Sequence, residues 1–196
     1  MPQQSLGMPS GAFWTADVPG FGVGHIGCGA GIATDINPLF VSVAYGFSDI
    51  SEGRIRLGYA YPDIEGEEKS LLLNLEAKMQ IMNTKDKEHY CPFDLAVGAL
   101  FEIVYFESFY LKEYTGFLLL SVPYHFNGHK AFPYCRFTLR REAETPDGRP
   151  DLSERETRAG LNLGFKYQAD EKFGIYPEFQ FDGNRGVFIG FDYQLF

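Results

Sequence analysis

Leu71 to Asn83 reads LLLNLEAKMQIMN, and this stretch decides the fold. Its odd-numbered positions are apolar: Leu71, Leu73, Leu75, Ala77, Met79 and Ile81. Its even-numbered positions are mostly polar and include Asn74, Glu76, Lys78 and Gln80. A period of two places one set on each face of a β-strand, whereas an α-helix would scatter both sets around its axis. The stretch therefore predicts a strand that separates an apolar environment from a polar one.

The same alternation recurs in about ten segments between Phe21 and the C-terminus, and no convincing amphipathic helix appears. Glycines blur the first segment, Phe21 to Thr34, where we expect Ile26 and Ile32 to point outward and His25 inward. Residues 1–20 are predicted to be an irregular lead-in, and residues 21–196 a single β-barrel domain. The predicted fold is all-β, an antiparallel up-and-down barrel of about ten strands, with eight as the alternative.

Composition limits the function classes. The net charge of −9 argues against a nucleic-acid partner, which would need a basic surface. The three cysteines, Cys28, Cys91 and Cys135, have no metal-ligand spacing, and we expect three free thiols. No metal site and no cofactor is expected, because the histidines do not cluster and no phosphate-binding loop opens a helix.

Alternation alone does not decide which face of the barrel meets water, and three arguments favour an apolar exterior in a membrane. Roughly forty large apolar residues share the apolar face, too many for the interior of a small barrel. The segments have about nine to thirteen residues, close to the length of a strand that crosses a bilayer. Aromatic residues lie near the segment ends, where membrane barrels carry aromatic girdles. The main alternative is a soluble lipocalin-like barrel that binds an apolar ligand.

The connections between segments are of two kinds. Asn127 to Lys130 and Ala169 to Lys172 are predicted to be tight turns. Arg141 to Glu156 is predicted to be a long polar loop, in which acidic residues such as Glu142 are solvated. With a periplasmic C-terminus, both tight turns and both termini lie on the periplasmic side and the long loop lies outside, as in bacterial barrels.

The C-terminal stretch from Leu161 carries a resemblance to known proteins: it reads LNLGFKYQADEKFGIYPEFQFDGNRGVFIGFDYQLF. It resembles the closing hairpins of small bacterial outer-membrane proteins of the OmpA/OmpW-like kind, an architecture rather than a specific family. The resemblance implies an insertion signal at Phe191, Tyr193 and the terminal Phe196, which the outer-membrane insertion machinery would bind. The register departs from the usual signal, because Gln194 stands where an aromatic residue is common.

An apolar exterior would direct a set of charged residues into the barrel interior. This predicted interior charge network consists of Arg54, Arg56, Glu76, Lys78, Asp94, Glu102, Arg136, Arg140, Arg158, Lys166, Glu178 and Asp192. Buried charges must be paired or hydrated, so we expect an ion-paired interior without a wide pore. The expected role is structural, partner binding through the outer loops, or restricted passage of small solutes, as in a porin-like protein of a Gram-negative cell.

A lipid-modifying outer-membrane enzyme is a further alternative. His125 and Ser121 share the inward face of one segment, and Glu102 on the preceding segment could orient the imidazole. No recognised catalytic motif surrounds these residues. Catalysis is therefore not the favoured function.

The expected location is the outer membrane, with membrane lipid as the surrounding partner. No secretory signal is visible, because Met1 leads into a Gly/Pro-rich segment without a basic stretch and an apolar core. We expect that a leader has been removed, and a natural start at Met1 would weaken the membrane prediction.

Overall fold

A computed structural model describes residue 11 and residues 13–63, 70–84, 91–107, 109–126, 128–146, 154–181 and 184–196. These residues form eleven strand segments: β1 Gly24–Ala33, β2 Ile36–Ser48, β3 Ser51–Pro62, β4 Ser70–Met82, β5 Asp94–Tyr105, β6 Phe109–Ser121, β7 Tyr124–Phe126, β8 His129–Pro146, β9 Glu154–Gln168, β10 Phe173–Phe181 and β11 Gly186–Gln194. The described residues contain no helix long and apolar enough to cross a membrane.

The strands form one closed antiparallel barrel. Each strand pairs with the next along the chain, except that β6 pairs with β8 rather than with β7, and β1 pairs with β11 to close the cylinder. The short β7 continues the position of β6, since both pair with β8. The eleven segments therefore occupy ten positions in the wall, which confirms the prediction of about ten strands over the alternative of eight.

A proline causes the break between β6 and β7. Val122 still donates its backbone N–H to the carbonyl oxygen of Pro133 across the pair, at 3.0 Å. Pro123 has no N–H to donate, so the regular ladder ends there. Because the alternation from Gly116 to Phe126 continues through Pro123, the sequence alone predicts one segment there, and the proline is why it is divided.

Side chains alternate between an exposed apolar face and a buried, largely polar face. Val41, Leu71 and Val187 are 59%, 51% and 53% exposed, although all three are aliphatic. Their counterparts on the other face, such as Asn74 and Asn162, are buried. Apolar side chains point away from the axis of the barrel, so the soluble lipocalin-like alternative is wrong.

The same distribution holds on both sides of the closing seam. Leu163 and Ile189 are exposed, and Leu73 and Leu120 are half-buried on the same outward parity as their exposed neighbours. None of these four side chains is buried, as they would be if they lined an apolar cavity inside the barrel.

The two ends of the barrel are distinguished by the connections that they hold. At the terminal end, where β1 begins and β11 ends, the Gly24 carbonyl accepts from Leu195 at 2.9 Å. The predicted tight turn at Ala169 to Lys172 also lies at this end, and Asp170 Oδ1 accepts from the N–H groups of Lys172 and Phe173. We call the opposite end, which holds the β5–β6 and β8–β9 connections, the far end.

The predicted long loop from Arg141 to Glu156 is wrong in its bounds. Strand β8 continues to Pro146 and β9 begins at Glu154, with Arg141 opposite Thr157 in the register. The side chains in these extensions of β8 and β9 are largely polar, but their backbones pair in the same way as in the apolar parts of the strands. Side-chain polarity therefore did not indicate where the strands end. Residues 147–153 of that loop, Asn127, and residues 1–10 and 12 of the predicted lead-in lie outside the described residues.

Gly11 and residues 13–23 carry no regular strand and lie in part within the barrel. Phe13, Trp14 and Ala16 belong to one buried cluster with inward residues of six strands, including Phe40, Tyr134 and Phe188. We call residues 11 and 13–19 the N-terminal plug. Beyond it, Gly22 donates to the Gly46 carbonyl at the terminal end, and the chain enters β1.

Candidate functional site: the barrel interior

Nearest the terminal end, the interior holds a cluster centred on Asp192. Its Oδ2 accepts from Lys166 Nζ at 3.2 Å and from the Tyr176 hydroxyl at 2.7 Å. His25 Nδ1 lies 3.6 Å from the same oxygen. Gly174 stands beside this cluster, where an added Cβ would lie 2.3 Å from Asp192 Oδ1, so a side chain there would displace the carboxylate. The cluster links β1, β9, β10 and β11, and thus spans the closing seam of the barrel.

In the middle of the interior, Glu76 lies between two guanidinium groups. Arg56 Nη2 is 3.1 Å from one carboxylate oxygen and Arg136 Nη1 is 3.0 Å from the other. All three side chains are buried. Because β8 lies several strand positions away from the adjacent β3 and β4, this triad spans the interior of the cylinder.

Glu178 forms a second central group. One carboxylate oxygen accepts from Asn162 Nδ2 at 2.8 Å, and the other accepts from the Tyr134 hydroxyl at 2.5 Å. The second oxygen also accepts from the backbone N–H of Phe13 at 2.9 Å. Glu178 therefore binds both the barrel wall and the N-terminal plug.

Toward the far end, Arg140 lies between two further carboxylates. Its Nη1 is 3.4 Å from Glu113, and its Nε is 3.6 Å from Glu142. Arg158 adds a contact to Glu142 at 3.5 Å. Glu142 is therefore buried in the wall rather than solvated in a loop, which corrects the sequence-based prediction.

Glu102 lies beside this group on β5. It is opposite Glu113 in the strand register, and its Oε2 accepts from Asn74 Nδ2 at 2.7 Å. Glu113 also accepts from the hydroxyl of Thr115. Two buried carboxylates thus face each other across one strand pair, with Asn74 and Thr115 hydrogen-bonding to them.

Near the far end, inward residues from β2 to β6 and the β5–β6 connection form an apolar layer: Ile36, Ala60, Leu72, Val104, Phe106 and Leu111. The Asn184 side chain accepts from the Ile36 N–H at 3.2 Å and donates to the Ile36 carbonyl at 3.0 Å. The far end is therefore apolar on the side of β2 to β6, whereas β8 and β10 contribute buried polar side chains such as Glu142 and Gln180.

The N-terminal plug is fixed by side chains of the wall rather than by strand pairing. Arg54 donates to the Phe13 carbonyl at 2.7 Å, and Arg56 donates to the Gly11 carbonyl at 2.8 Å. Lys78 donates to the Thr15 and Asp17 carbonyls at 2.5 and 2.8 Å. The Ala16 N–H donates to Ser121 Oγ at 3.0 Å.

Trp14 is the centre of the plug. The guanidinium carbon of Arg54 and the ammonium of Lys78 each lie 4.5 Å from its ring centroid. The only tryptophan of the chain is 3% exposed and contacts two buried cations. A cation over an indole face is attracted by the ring quadrupole, most strongly where water is absent.

The structure brings nine of the twelve predicted charged residues into the four groups described above, whereas Arg54 and Lys78 bind the plug and Asp94 lies at the start of β5. Asp94 Oδ1 accepts from the Thr84 N–H at 2.7 Å, near the terminal end. Sequence reasoning omitted Glu52, which pairs with Lys78 at 3.2 Å, although Glu52 shares the inward parity of Arg54. It also omitted Glu113 and assigned Glu142 to a loop. The plug has no alternation, so nothing in the sequence placed it inside the barrel.

The three candidate catalytic residues do not meet. Ser121 accepts from the plug, His125 lies exposed on β7 beyond the break at Pro123, and Glu102 contacts Asn74. In the register Ser121 is opposite Asp94, eight residues along β5 from Glu102, or about 27 Å at strand geometry. No group of histidine, cysteine and acidic residues in the described ranges could hold a metal ion. All three cysteines are free thiols.

The predicted insertion signal lies along the closing strand. Phe191 stacks on Phe173 of β10 with ring centroids 6.1 Å apart, and Lys172 Nζ lies 6.0 Å from the Tyr193 ring. Strand β11 ends at Gln194, but Gly24 still donates to the Phe196 carbonyl at 3.3 Å. The Phe196 ring covers Gly24, where an added Cβ would lie 2.8 Å from the ring.

Comparison with known proteins supports the architecture. No family model and no curated protein matches the sequence. Among solved structures, the β domain of the Bordetella autotransporter BrkA matches with a TM-score of 0.52 and 10% identity, over 89% of this chain and all (100%) of that one. The chain has the fold of a transmembrane β-barrel.

Two other solved structures are similar at lower scores. The translocator domain of the autotransporter NalP from Neisseria meningitidis has a TM-score of 0.47 and 12% identity, over 92% of this chain and 91% of that one. The N-terminal β-barrel domain of Pseudomonas aeruginosa OprF has a TM-score of 0.41 and 12% identity, over 90% and 99%.

Proposed function

We propose that this protein is an integral outer-membrane β-barrel that acts as a closed membrane anchor and presents its far-end loops to partners. The observation that carries the proposal is the combination of an apolar exterior with an occupied interior. Ten strand positions with outward aliphatic and aromatic residues fit a bilayer, since every backbone group within a closed barrel is paired.

The occupied interior argues against an open pore. The plug lies at the level of Arg54 and Arg56, and it is surrounded by the ion pairs of Glu76 and the hydrogen bonds of Glu178. Beyond the plug, the apolar layer around Leu72 and Leu111 lines the β2 to β6 side of the far end. An ion would have to pass the plug and the buried side chains packed against it, which supports a closed barrel.

Restricted passage of small solutes is the second candidate, and one observation favours it. The plug is held by hydrogen bonds and cation–π contacts from side chains, with no strand ladder of its own. Such a segment can leave the interior without opening the barrel wall. A chain with the plug displaced would then conduct ions.

Single-channel recording in planar bilayers tests both candidates. We expect almost no conductance from the intact chain. A variant with residues 11–19 replaced by an equal-length Gly/Ser segment keeps the tether to β1 but removes Phe13 and Trp14. If the protein allows restricted passage, this variant should show discrete channel events. If the protein is a permanently closed anchor, the variant should show none.

Fluorescence and gel migration control for the folded state. Acrylamide quenching of Trp14 in the intact chain should be weak, because the indole is enclosed between Arg54 and Lys78. The replaced variant must still show heat-modifiable migration, as folded membrane barrels do. A large, steady conductance from the intact chain would contradict the closed-anchor proposal.

A further inference from the structure

The outer wall near the far end carries a cluster of basic residues. Lys112 on β6, Arg141 on β8 and Arg155 on β9 line an open depression of about 590 Å³ together with Tyr110 and Tyr114. The strand register places Lys112 opposite Ala143, and Ala143 opposite Arg155. Arg141 is opposite Tyr114, one outward step toward the middle of the barrel.

All three cations belong to the outward face. The neighbours of Lys112 and Arg141 along their strands, Glu113, Arg140 and Glu142, are buried and make the interior ion pairs described above. Arg155 is exposed on β9, opposite the outward Ala143. Adjacent strands are about 4.8 Å apart, so the three side chains can reach one point above the wall. Long basic side chains extend along the surface while their charged ends approach a polar group.

Charge distinguishes this surface from the rest of the molecule. The chain has 26 acidic and 17 basic residues, yet none of these three cations forms an ion pair with a carboxylate among the described residues. The Lys112 ammonium instead lies 4.6 Å from the Tyr110 ring centroid. Three adjacent cations without acidic partners are electrostatically complementary to an anion of high charge, such as a phosphate group.

The position of the cluster identifies the source of that phosphate. One outward step below Arg141 in β8, Leu139 is 63% exposed, and it marks the upper part of the apolar exterior. Tyrosines surround the same level: Tyr105 packs on Tyr110 at 6.3 Å, and Phe101 packs on Tyr114 at 5.1 Å. Aromatic residues of membrane barrels lie at the interface where lipid headgroups begin.

We propose that Lys112, Arg141 and Arg155 bind the phosphate of an anionic membrane lipid in the leaflet at the far end. The acyl chains of that lipid lie along the exposed leucines below, and its phosphate accepts hydrogen bonds from the two guanidinium groups. This proposal rests on the proposed membrane insertion of the barrel.

Native mass spectrometry of the full chain in a neutral detergent tests the site. The protein is mixed with phosphatidic acid and with phosphatidylcholine of the same acyl chains. We expect it to retain more phosphatidic acid than phosphatidylcholine. Each single substitution, K112Q, R141Q or R155Q, weakens that retention about fivefold, and the triple variant on the order of a hundredfold. The matched control K130Q/K172Q removes two exposed cations at the terminal end and leaves retention unchanged.

The outcomes separate the two proposals. Failure of the intact chain to float with vesicles of phosphatidylcholine and phosphatidic acid overturns membrane insertion and the lipid site together. Insertion with equal phosphatidic acid retention in all variants overturns only the lipid site. Release of the lipid by excess inorganic phosphate shows that a free anion is the preferred ligand and also overturns it. Heat-modifiable migration of each variant excludes misfolding, and the single variants test the site if the triple variant does not fold.

Discussion

At the scale of single residues, the interior depends on charges that have no access to water. Glu76 is the clearest case, because it neutralises Arg56 and Arg136 from different parts of the wall. Removing one member of a buried ionic group leaves its partners desolvated and unbalanced, which costs far more than the loss of an exposed pair.

Glu76→Gln should therefore lower the free energy of unfolding by about 3–5 kcal/mol. The measurement is urea unfolding in detergent, followed by the emission of Trp14. Glu171→Gln, in the exposed turn at Ala169 to Lys172, is the control and should change stability by no more than about 0.5 kcal/mol. Equal effects of the two substitutions would mean that the interior of the barrel is hydrated.

At the scale of elements, the sequence determined most of the fold and only part of the interior. The alternation in Leu71 to Asn83 appears as β4, with Asn74, Glu76, Lys78 and Gln80 all buried. Alternation arises because the two faces of a strand meet different environments. A strand can therefore be recognised in the sequence wherever one face is apolar and the other is polar. Where β8 and β9 extend beyond Leu139 and Ala159, the outward face is largely polar, so alternation is lost. The predicted strands therefore ended too early.

The N-terminal plug illustrates the other limit of sequence reasoning. Its contacts are Glu178, Ser121, Arg54, Arg56 and Lys78, which come from four strands distant in sequence. No local pattern encodes such contacts, because they exist only after the barrel has closed.

Two glycines in neighbouring strands provide a test of the wall. An added Cβ at Gly98 would lie 2.4 Å from the Ala77 carbonyl oxygen and 2.2 Å from the Phe117 ring, whereas the same position at Gly116 has nothing within 4 Å. Gly98→Ala should destabilise the barrel by about 1–3 kcal/mol, since the backbone and an aromatic ring would both have to move.

Gly116→Ala is the matched control for Gly98→Ala. It should be neutral or slightly stabilising, because a glycine within a strand is entropically costly and its outward face is open. Urea midpoints measure both variants. A larger loss at Gly116 than at Gly98 would contradict the assignment of inward and outward faces on β5 and β6.

At the scale of the whole molecule, the exposed apolar surface predicts how the protein behaves in solution. Side chains such as Ile32, Leu139 and Val41 are 80%, 63% and 59% exposed. A continuous apolar surface of this kind associates in water unless lipid or detergent covers it. We expect the chain to require detergent and to migrate faster on gels before boiling than after. A dispersed monomer in detergent-free buffer would contradict the proposed membrane location.

The covalent continuity of the N-terminal plug with β1 has one more consequence. Only a few residues separate Pro19 from Gly24, so a segment that has left the interior remains within a short radius of its binding groups. Its local concentration there is on the order of millimolar. Rebinding is then a first-order event that does not depend on how many copies of the protein the membrane contains, and each vacated interior refills independently of its neighbours.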